Sequence, residues 1–220
     1  TGAAVGNGQN VTVQAFNPCG NNNSKTDKIN VGGFNGVTAS PSSASVCSDG
    51  SISVVGTLTG NAASGTWSAP NGGFSNIVTS GTNPILVSAT YTPATNPPVT
   101  TSNVILTITT NTPSGSGCPN VAGTATINLT VNQAVAISSQ PVATQTLCSG
   151  STATFSVSAT GSGLTYQWQK GGVNLVNGGT ISGATSSSLS LTNITTADAA
   201  NFRVVVSGAA PCSAVTSNIS

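Results

Sequence analysis

The stretch Ala125-Thr-Ile-Asn-Leu-Thr-Val131 alternates apolar and polar residues without a break. Successive side chains of a β-strand point to opposite faces, so this pattern is typical of a strand with one buried face. The pattern recurs on both sides of this stretch, at Ile52/Val54, Ile85/Val87/Ala89/Tyr91, Val104/Leu106/Ile108, Ala153/Phe155/Val157/Ala159, Leu164/Tyr166/Trp168, Leu189/Leu191 and Phe202/Val204/Val206. Clusters of Gly, Pro, Asn and Ser separate these segments, and no stretch has the spacing of an amphipathic helix. The sequence therefore predicts an all-β fold with essentially no helix.

Charge is scarce in this chain. Only 3% of the 220 residues are charged, with four Lys and Arg, three Asp and Glu, and no His. Phosphate binding requires a Lys/Arg surface, and this composition does not provide one, so we expect no nucleic-acid partner. We also expect no membrane insertion within this segment, because no run of eighteen apolar residues is present.

The five cysteines fall into two classes that alternate along the chain. Cys19, Cys118 and Cys212 each follow an alternating apolar run that opens with Asn, and each lies beside a proline. Cys47 and Cys148 are instead followed by Ser and a nearby Gly. Within each class the spacing is about 100 residues, which is the size of one small β-sandwich domain. The chain is therefore predicted to be a segment of a tandem array.

This alternation suggests one disulfide within each repeat. We expect Cys47 to pair with Cys118 and Cys148 with Cys212, while Cys19 pairs with an upstream repeat. A free thiol at Cys19 is the alternative. Paired cysteines in small β domains indicate an oxidising compartment, so the predicted location is extracellular, at the cell surface.

The repeats give the expected domain organisation. Residues 1–31 are predicted to be the C-terminal strands of a preceding repeat, residues 32–132 a complete β-sandwich, and residues 133–220 a second sandwich whose last strand is truncated.

The third segment resembles an immunoglobulin-like (Ig-like) domain. Leu164-Thr-Tyr-Gln-Trp168 is similar to the strand that carries the core tryptophan, and the run from Leu189 through Asp198 to Phe202 is similar to the strand and corner that lead to the Asp-x-Gly/Ala-x-Tyr motif. The chain departs from the family at two places. Phe202 stands where the corner tyrosine would be, and apolar residues occupy the positions of the usual inter-sheet disulfide.

The middle repeat is similar to the PKD-like repeats of giant secreted surface proteins of the Bacteroidota. The residues that carry this resemblance are Gly65-Thr-Trp67, Gly73-Phe74, Ala89-Thr-Tyr-Thr-Pro93, Leu106-Thr-Ile-Thr-Thr-Asn111 and Cys118-Pro119. Those proteins include gliding-motility adhesins exported by the type IX route, in which Ig-like and PKD-like modules alternate. The resemblance implies an extracellular filament or adhesin and no specific ligand.

Candidate binding and catalytic residues are few. Trp67, Trp168, Tyr91 and Tyr166 could form a platform for sugar stacking, but each lies in an alternating strand where an aromatic ring normally fills the core. We therefore assign Trp67, Trp168 and Phe202 to the sandwich cores. The three aspartates are far apart in sequence, so no metal site is expected. Without His or Glu, the chain lacks an ordinary general base, so we expect no enzyme and no cofactor.

The function that these features favour is a structural stalk or spacer segment of a large extracellular adhesin. Its expected partners are neighbouring repeats of the same chain, with extracellular polysaccharide or lateral copies of the chain as further candidates. The alternative is a glycan-binding or accessory module of a secreted polysaccharide-active protein.

Overall fold

The computed structural model describes residues 36–60, 62–94, 102–111 and 122–220, together with two strands at Asn10–Gln14 and Ser24–Lys28. The strands, in chain order, are β1 (Asn10–Gln14), β2 (Ser24–Lys28), β3 (Val37–Ser40), β4 (Ser43–Cys47), β5 (Ile52–Leu58), β6 (Gly65–Ser68), β7 (Gly73–Ser80), β8 (Ile85–Thr92), β9 (Ser102–Thr110), β10 (Thr124–Asn132), β11 (Ala136–Ser139), β12 (Ala153–Ser156), β13 (Ser158–Thr160), β14 (Thr165–Lys170), β15 (Val173–Asn174), β16 (Ile181–Ser182), β17 (Ser188–Leu191), β18 (Phe202–Ser207) and β19 (Val215–Thr216). Strands β1 and β2 form an antiparallel pair.

Residues 36–132, which we call the first module, form two four-stranded sheets. One sheet has the order β3-β5-β8-β7 and the other β4-β10-β9-β6. Neighbouring strands are antiparallel except for β4, which pairs in parallel with the end of β10. Strands β3 and β4 follow each other closely but belong to different sheets, so the start of this module contributes an edge to both.

Residues 133–220, the second module, repeat this plan with shorter strands. Its main sheets have the orders β12-β17-β16 and β15-β14-β18-β19, and β11 pairs with β13 beside them. In each module the strand that carries the tryptophan pairs with the long strand preceding the last one. Trp67 of β6 lies opposite Ile108, and Trp168 of β14 lies opposite Val204.

Each module has its own apolar core. The fully buried residues of the first core include Val54, Val87, Tyr91, Leu106, Ile108 and Ile127, and those of the second include Trp168, Leu189, Val204 and Val206. Period-two alternation delivers these side chains to one face of each sheet. On β9, Val104, Leu106 and Ile108 are buried while Ile105 between them is exposed. Burial of such side chains is the dominant favourable contribution to folding.

The all-β prediction is confirmed in the described part of the chain, which contains no α-helix. Its helical content is a single 3-10 turn at Thr196–Asp198. Among these residues, no helix has the length and apolar character needed to cross a bilayer.

Candidate functional site

The feature that stands out is a disulfide between the modules. Cys47 of the first module is bonded to Cys212 of the second, with 165 residues of sequence separation and Cα atoms 5.0 Å apart. This Cα separation is within the usual range for disulfides. The two modules are therefore joined twice, once through the chain at Asn132–Val135 and once through the sulfurs.

Strand direction brings the two cysteines together. Cys47 is the last residue of β4 and lies opposite Asn132, the last residue of β10, because these strands run in parallel. Cys47 therefore lies at the end of the first module where the chain continues into the second module. Cys212 lies in the loop between β18 and β19, where its backbone N–H donates to the carbonyl of Ala209. That loop is at the end of the second module that faces the junction.

Hydrogen bonds around the disulfide also join the two modules. The side-chain amide of Asn132, which is buried, donates to the carbonyl oxygen of Ala210 over 2.8 Å. The backbone N–H of Ala134 donates to the hydroxyl of Ser48 over 3.0 Å. Residues from both modules therefore hold the connecting segment.

The connecting segment is also bonded to a loop of the second module. The N–H of Gln133 donates to the hydroxyl of Ser162 over 2.8 Å, and the N–H of Ser162 donates back to the carbonyl of Gln133. Val135, the next apolar residue along, is buried in the second core. A Cβ added at Gly208 would lie 2.7 Å from the side chain of Val135 and 3.1 Å from the carbonyl oxygen of Ser162, so a larger residue would require this packing to shift. The junction is therefore packed as well as bridged.

The disulfides predicted within each repeat are wrong for Cys47 and Cys212. Cys148 and Cys212 lie at opposite ends of the second module. The turn after Cys148 is bonded to Ile194, ahead of the start of β18 at Phe202, whereas the loop with Cys212 follows the end of that strand at Ser207. Five residue steps of about 3.3 Å separate these ends by roughly 17 Å, far beyond the reach of a disulfide. A cysteine of the first class can instead meet one of the second class on the adjoining module.

The other three cysteines are not part of this bridge. Cys148 is exposed and forms no disulfide with any described residue, so its predicted pairing with Cys212 is also wrong. Cys19 and Cys118 lie outside the described residues.

The candidate aromatic residues line the cores. Trp67, Trp168 and Phe202 are 6%, 0% and 4% exposed. The indole N–H of Trp67 donates to the carbonyl of Val87, and that of Trp168 to the carbonyl of Ser186. Sugar stacking requires an open ring face, and these buried rings offer none.

The aspartates do not converge. In the described part of the chain, no three His, Cys, Asp or Glu side chains cluster as a metal site would require. Asp198 forms an ion pair of 3.0 Å with Lys170 and accepts a hydrogen bond from the backbone N–H of Thr195. The Thr195 N–H, followed by Lys170, lowers the pKa of this carboxyl below its usual value. The guanidinium of Arg203 donates to the side-chain oxygen of Gln169 over 2.7 Å.

Solved structures of tandem Ig-like domains resemble this fold. A mutated variant of the titin fragment I67–I69 superposes with a TM-score of 0.61 at 16% identity, over 94% of this chain and 71% of that chain. A second I-band fragment of titin, I67–I69, gives a TM-score of 0.58 at 12% identity over 84% of this chain, which spans 62% of that fragment's length. Extracellular domains 3–5 of Drosophila OTK give 0.52 at 15% identity over 92% of this chain and 67% of that one. At these identities the likeness shows the fold alone.

Sequence comparisons add one family. Residues 137–220, nearly all of the second module, match the family described as "Domain of unknown function (DUF8696)". No curated protein matches the chain. The strand order, the two tryptophan-centred cores and the superpositions agree on the architecture. The described chain consists of immunoglobulin-like β-sandwich modules arranged in tandem, and a disulfide closes the junction between them.

Proposed function

We propose that this chain is a load-bearing structural segment of a large extracellular surface protein. The observation that carries the proposal is the bond between Cys47 and Cys212, which connects the first strands of one module directly to the last strands of the next. A bond in that position is of little use to an isolated binding module, but it limits the extension of a chain that is pulled from both ends.

The load path follows from the connectivity. When force is applied to the chain before Cys47 and after Cys212, the tension passes through the disulfide and bypasses residues 48–211. The connecting segment and every buried core residue except Val46 lie inside this bypassed stretch. Strands β3, β4 and β19 lie outside it and carry the load. The strands between the two cysteines are therefore shielded from extension for as long as the bond is intact.

The surrounding protein is proposed from the sequence resemblance. The PKD-like features of the first module and the Ig-like features of the second support a secreted cell-surface adhesin or filament of the gliding-motility type, exported by the type IX route. A disulfide supports an oxidising, extracellular location. The scarcity of charged side chains suits a surface exposed to changing pH and salt. In this proposal the partners of the segment are neighbouring modules of the same protein.

Single-molecule force spectroscopy tests the mechanical role. The full chain is held by handles at its two termini and pulled in oxidising buffer, then in reducing buffer. Reduction is expected to release the residues between the two cysteines, and at about 3.5 Å per extended residue this adds on the order of 550 Å of contour length.

The matched control is the double variant Cys47→Ala/Cys212→Ala, which should show the long extension in both buffers. The variant Cys148→Ser should behave like the parent chain, because Cys148 lies outside the bridge. Equal extension of the parent chain in the two buffers would contradict the load-bearing role.

A further inference from the structure

We propose that Cys148 is the crosslinking site for a further module of the same kind. Its partner is a loop cysteine in the position that Cys212 occupies, on an Ig-like module that adjoins the far end of the second module. This inference rests on the proposed tandem function. It extends the observed bridge to the next junction.

Cys148 repeats the local setting of Cys47. Each cysteine opens a turn in which its carbonyl accepts a hydrogen bond from the backbone N–H three residues later, from Gly50 at 2.9 Å and from Ser151 at 3.1 Å. Each turn leads into the next strand of its module, β5 or β12. The first of these two equivalent cysteines already makes a bond to the module that follows it.

Cys148 also has the corresponding place in its module. The turn after Cys148 is bonded to Ile194, through the N–H of Gly150 and the carbonyl of Ser151. Ile194 precedes the start of β18 at Phe202, whereas the loop with Cys212 follows the end of that strand. Cys148 thus lies away from the existing junction, just as Cys47 lies at the end from which the chain leaves the first module.

The surface beside Cys148 is open, whereas strand β10 covers the equivalent surface beside Cys47 in the first module. In the first module, Asn128–Asn132 of β10 run alongside β4 and flank Cys47. In the second module, residues 143–149 belong to no strand, and a cavity of about 460 Å³ separates them from the start of β18. Leu147, Phe155 and Phe202 contribute apolar walls to this cavity. Ser220 also lines it. A segment laid parallel to residues 143–147 would fill this space.

The bond requires an oxidant. Two thiols form one disulfide and lose two protons and two electrons. A small-molecule disulfide such as oxidised glutathione accepts them by thiol–disulfide exchange and leaves as two reduced thiols. The exposed position of Cys148 makes it accessible for this exchange.

The test extends the full chain by one module. The point at which the extra module is joined follows from the strand register. Trp67 pairs with Ile108 and Trp168 with Val204, so Leu106 corresponds to Phe202. Ile127 lies opposite Leu106 and Ser220 opposite Phe202, so Ile127 corresponds to Ser220. A second copy of residues 128–220 is therefore joined directly after Ser220. The variants Cys19→Ser and Cys118→Ser remove the other cysteines. The protein is oxidised with glutathione disulfide, alkylated without reduction and mapped by mass spectrometry.

We expect Cys148 to be protected from alkylation and linked to the appended copy of Cys212, while the appended copy of Cys148 is alkylated. Alkylation of the original Cys148 in molecules that retain the Cys47–Cys212 bond would overturn the proposal and leave the load-bearing role intact. Loss of the Cys47–Cys212 bond itself would instead count against the proposed function. The parent protein isolated from its native source gives a second, independent readout. There, Cys148 should be bonded to a cysteine outside residues 1–220, and a reduced Cys148 would overturn the proposal.

Discussion

The sulfur of Cys47 is bonded to that of Cys212, and the backbone of Cys47 lies opposite Asn132, where the chain enters the second module. The bond therefore attaches Cys212 to the first module. It also holds Cys212 close to residue 133, where its own module begins. While the first module stays folded, the bridge closes a loop through the whole second module. By the same geometry, a folded second module makes the bridge close a loop through the first.

Removal of the bridge should destabilise a module that does not contain the mutated residue. We expect Cys47→Ala to lower the free energy of unfolding of the second module by about 4 kcal/mol, the chain-entropy value for a loop of roughly 80 residues. The chain has two tryptophans, one in each core. In a Trp67→Phe background, the fluorescence of Trp168 therefore reports urea unfolding of the second module.

The control for this experiment is Cys148→Ser in the same background. Cys148 is exposed and forms no disulfide with a described residue, so its replacement should leave the Trp168 transition within about 0.5 kcal/mol of the parent. If Cys148→Ser lowered the midpoint and Cys47→Ala did not, the bridge would lie within the second module.

Trp168 should be the most costly single truncation in the second module. It is fully buried, its ring contacts Phe155 at 6.1 Å between centroids, and its indole N–H is bonded to Ser186. Trp168→Ala should cost about 3 to 5 kcal/mol, because it leaves a cavity and an unpaired carbonyl. Hydrogen exchange should accelerate in β14 and β18 but not in β9. Val173→Ala, at a side chain that is 71% exposed, should leave all three strands unchanged.

Tyr91 tests a single part-buried hydrogen bond in the first module. Its hydroxyl donates to the carbonyl of Asn71 over 2.8 Å, and burial raises the pKa of this phenol above its usual value. Tyr91→Phe keeps the ring and should lower stability by about 1 kcal/mol, measured by denaturant unfolding followed through Trp67 in a Trp168→Phe background. Tyr166→Phe removes a hydroxyl that is unbonded within the described residues. An equal loss from both variants would show that the Asn71 contact contributes nothing.

Asp198 gives the second module a pH dependence with a definite sign. The Thr195 N–H and Lys170 lower the pKa of Asp198 in the folded state, so the ionised carboxylate favours folding. This contribution is fully present above the usual aspartate pKa and is lost as the pH falls through the lowered folded value. The urea midpoint of the second module should therefore fall in this acidic window. Asp198→Asn should abolish that part of the dependence, whereas Asp49→Asn, at an exposed site, should keep it.

Alternation along the chain was enough to predict the strands that supply the cores. The buried apolar residues of β8, β9 and β10 are ones that the pattern selects, because a sheet with one covered face requires period two. Strand β7 was missed. Ile77 and Val78 are both more than half exposed on this edge strand, so no buried face imposes a pattern on it.

The cysteine classes were also visible in the sequence, but their partners were not. Spacing shows that Cys47 and Cys148 are equivalent, and it does not show at which end of a sandwich they lie. That depends on the parallel pairing of β4 with the end of β10, a contact between residues about 85 positions apart that leaves no local signal. Equal spacing fits a bridge within a module and a bridge between modules equally well.

The most direct test of the central claim is disulfide mapping of the full chain by mass spectrometry without reduction. We predict a peptide pair that links Cys47 to Cys212. A pair linking Cys47 to Cys118, together with one linking Cys148 to Cys212, would place the bridges within the modules and contradict the account.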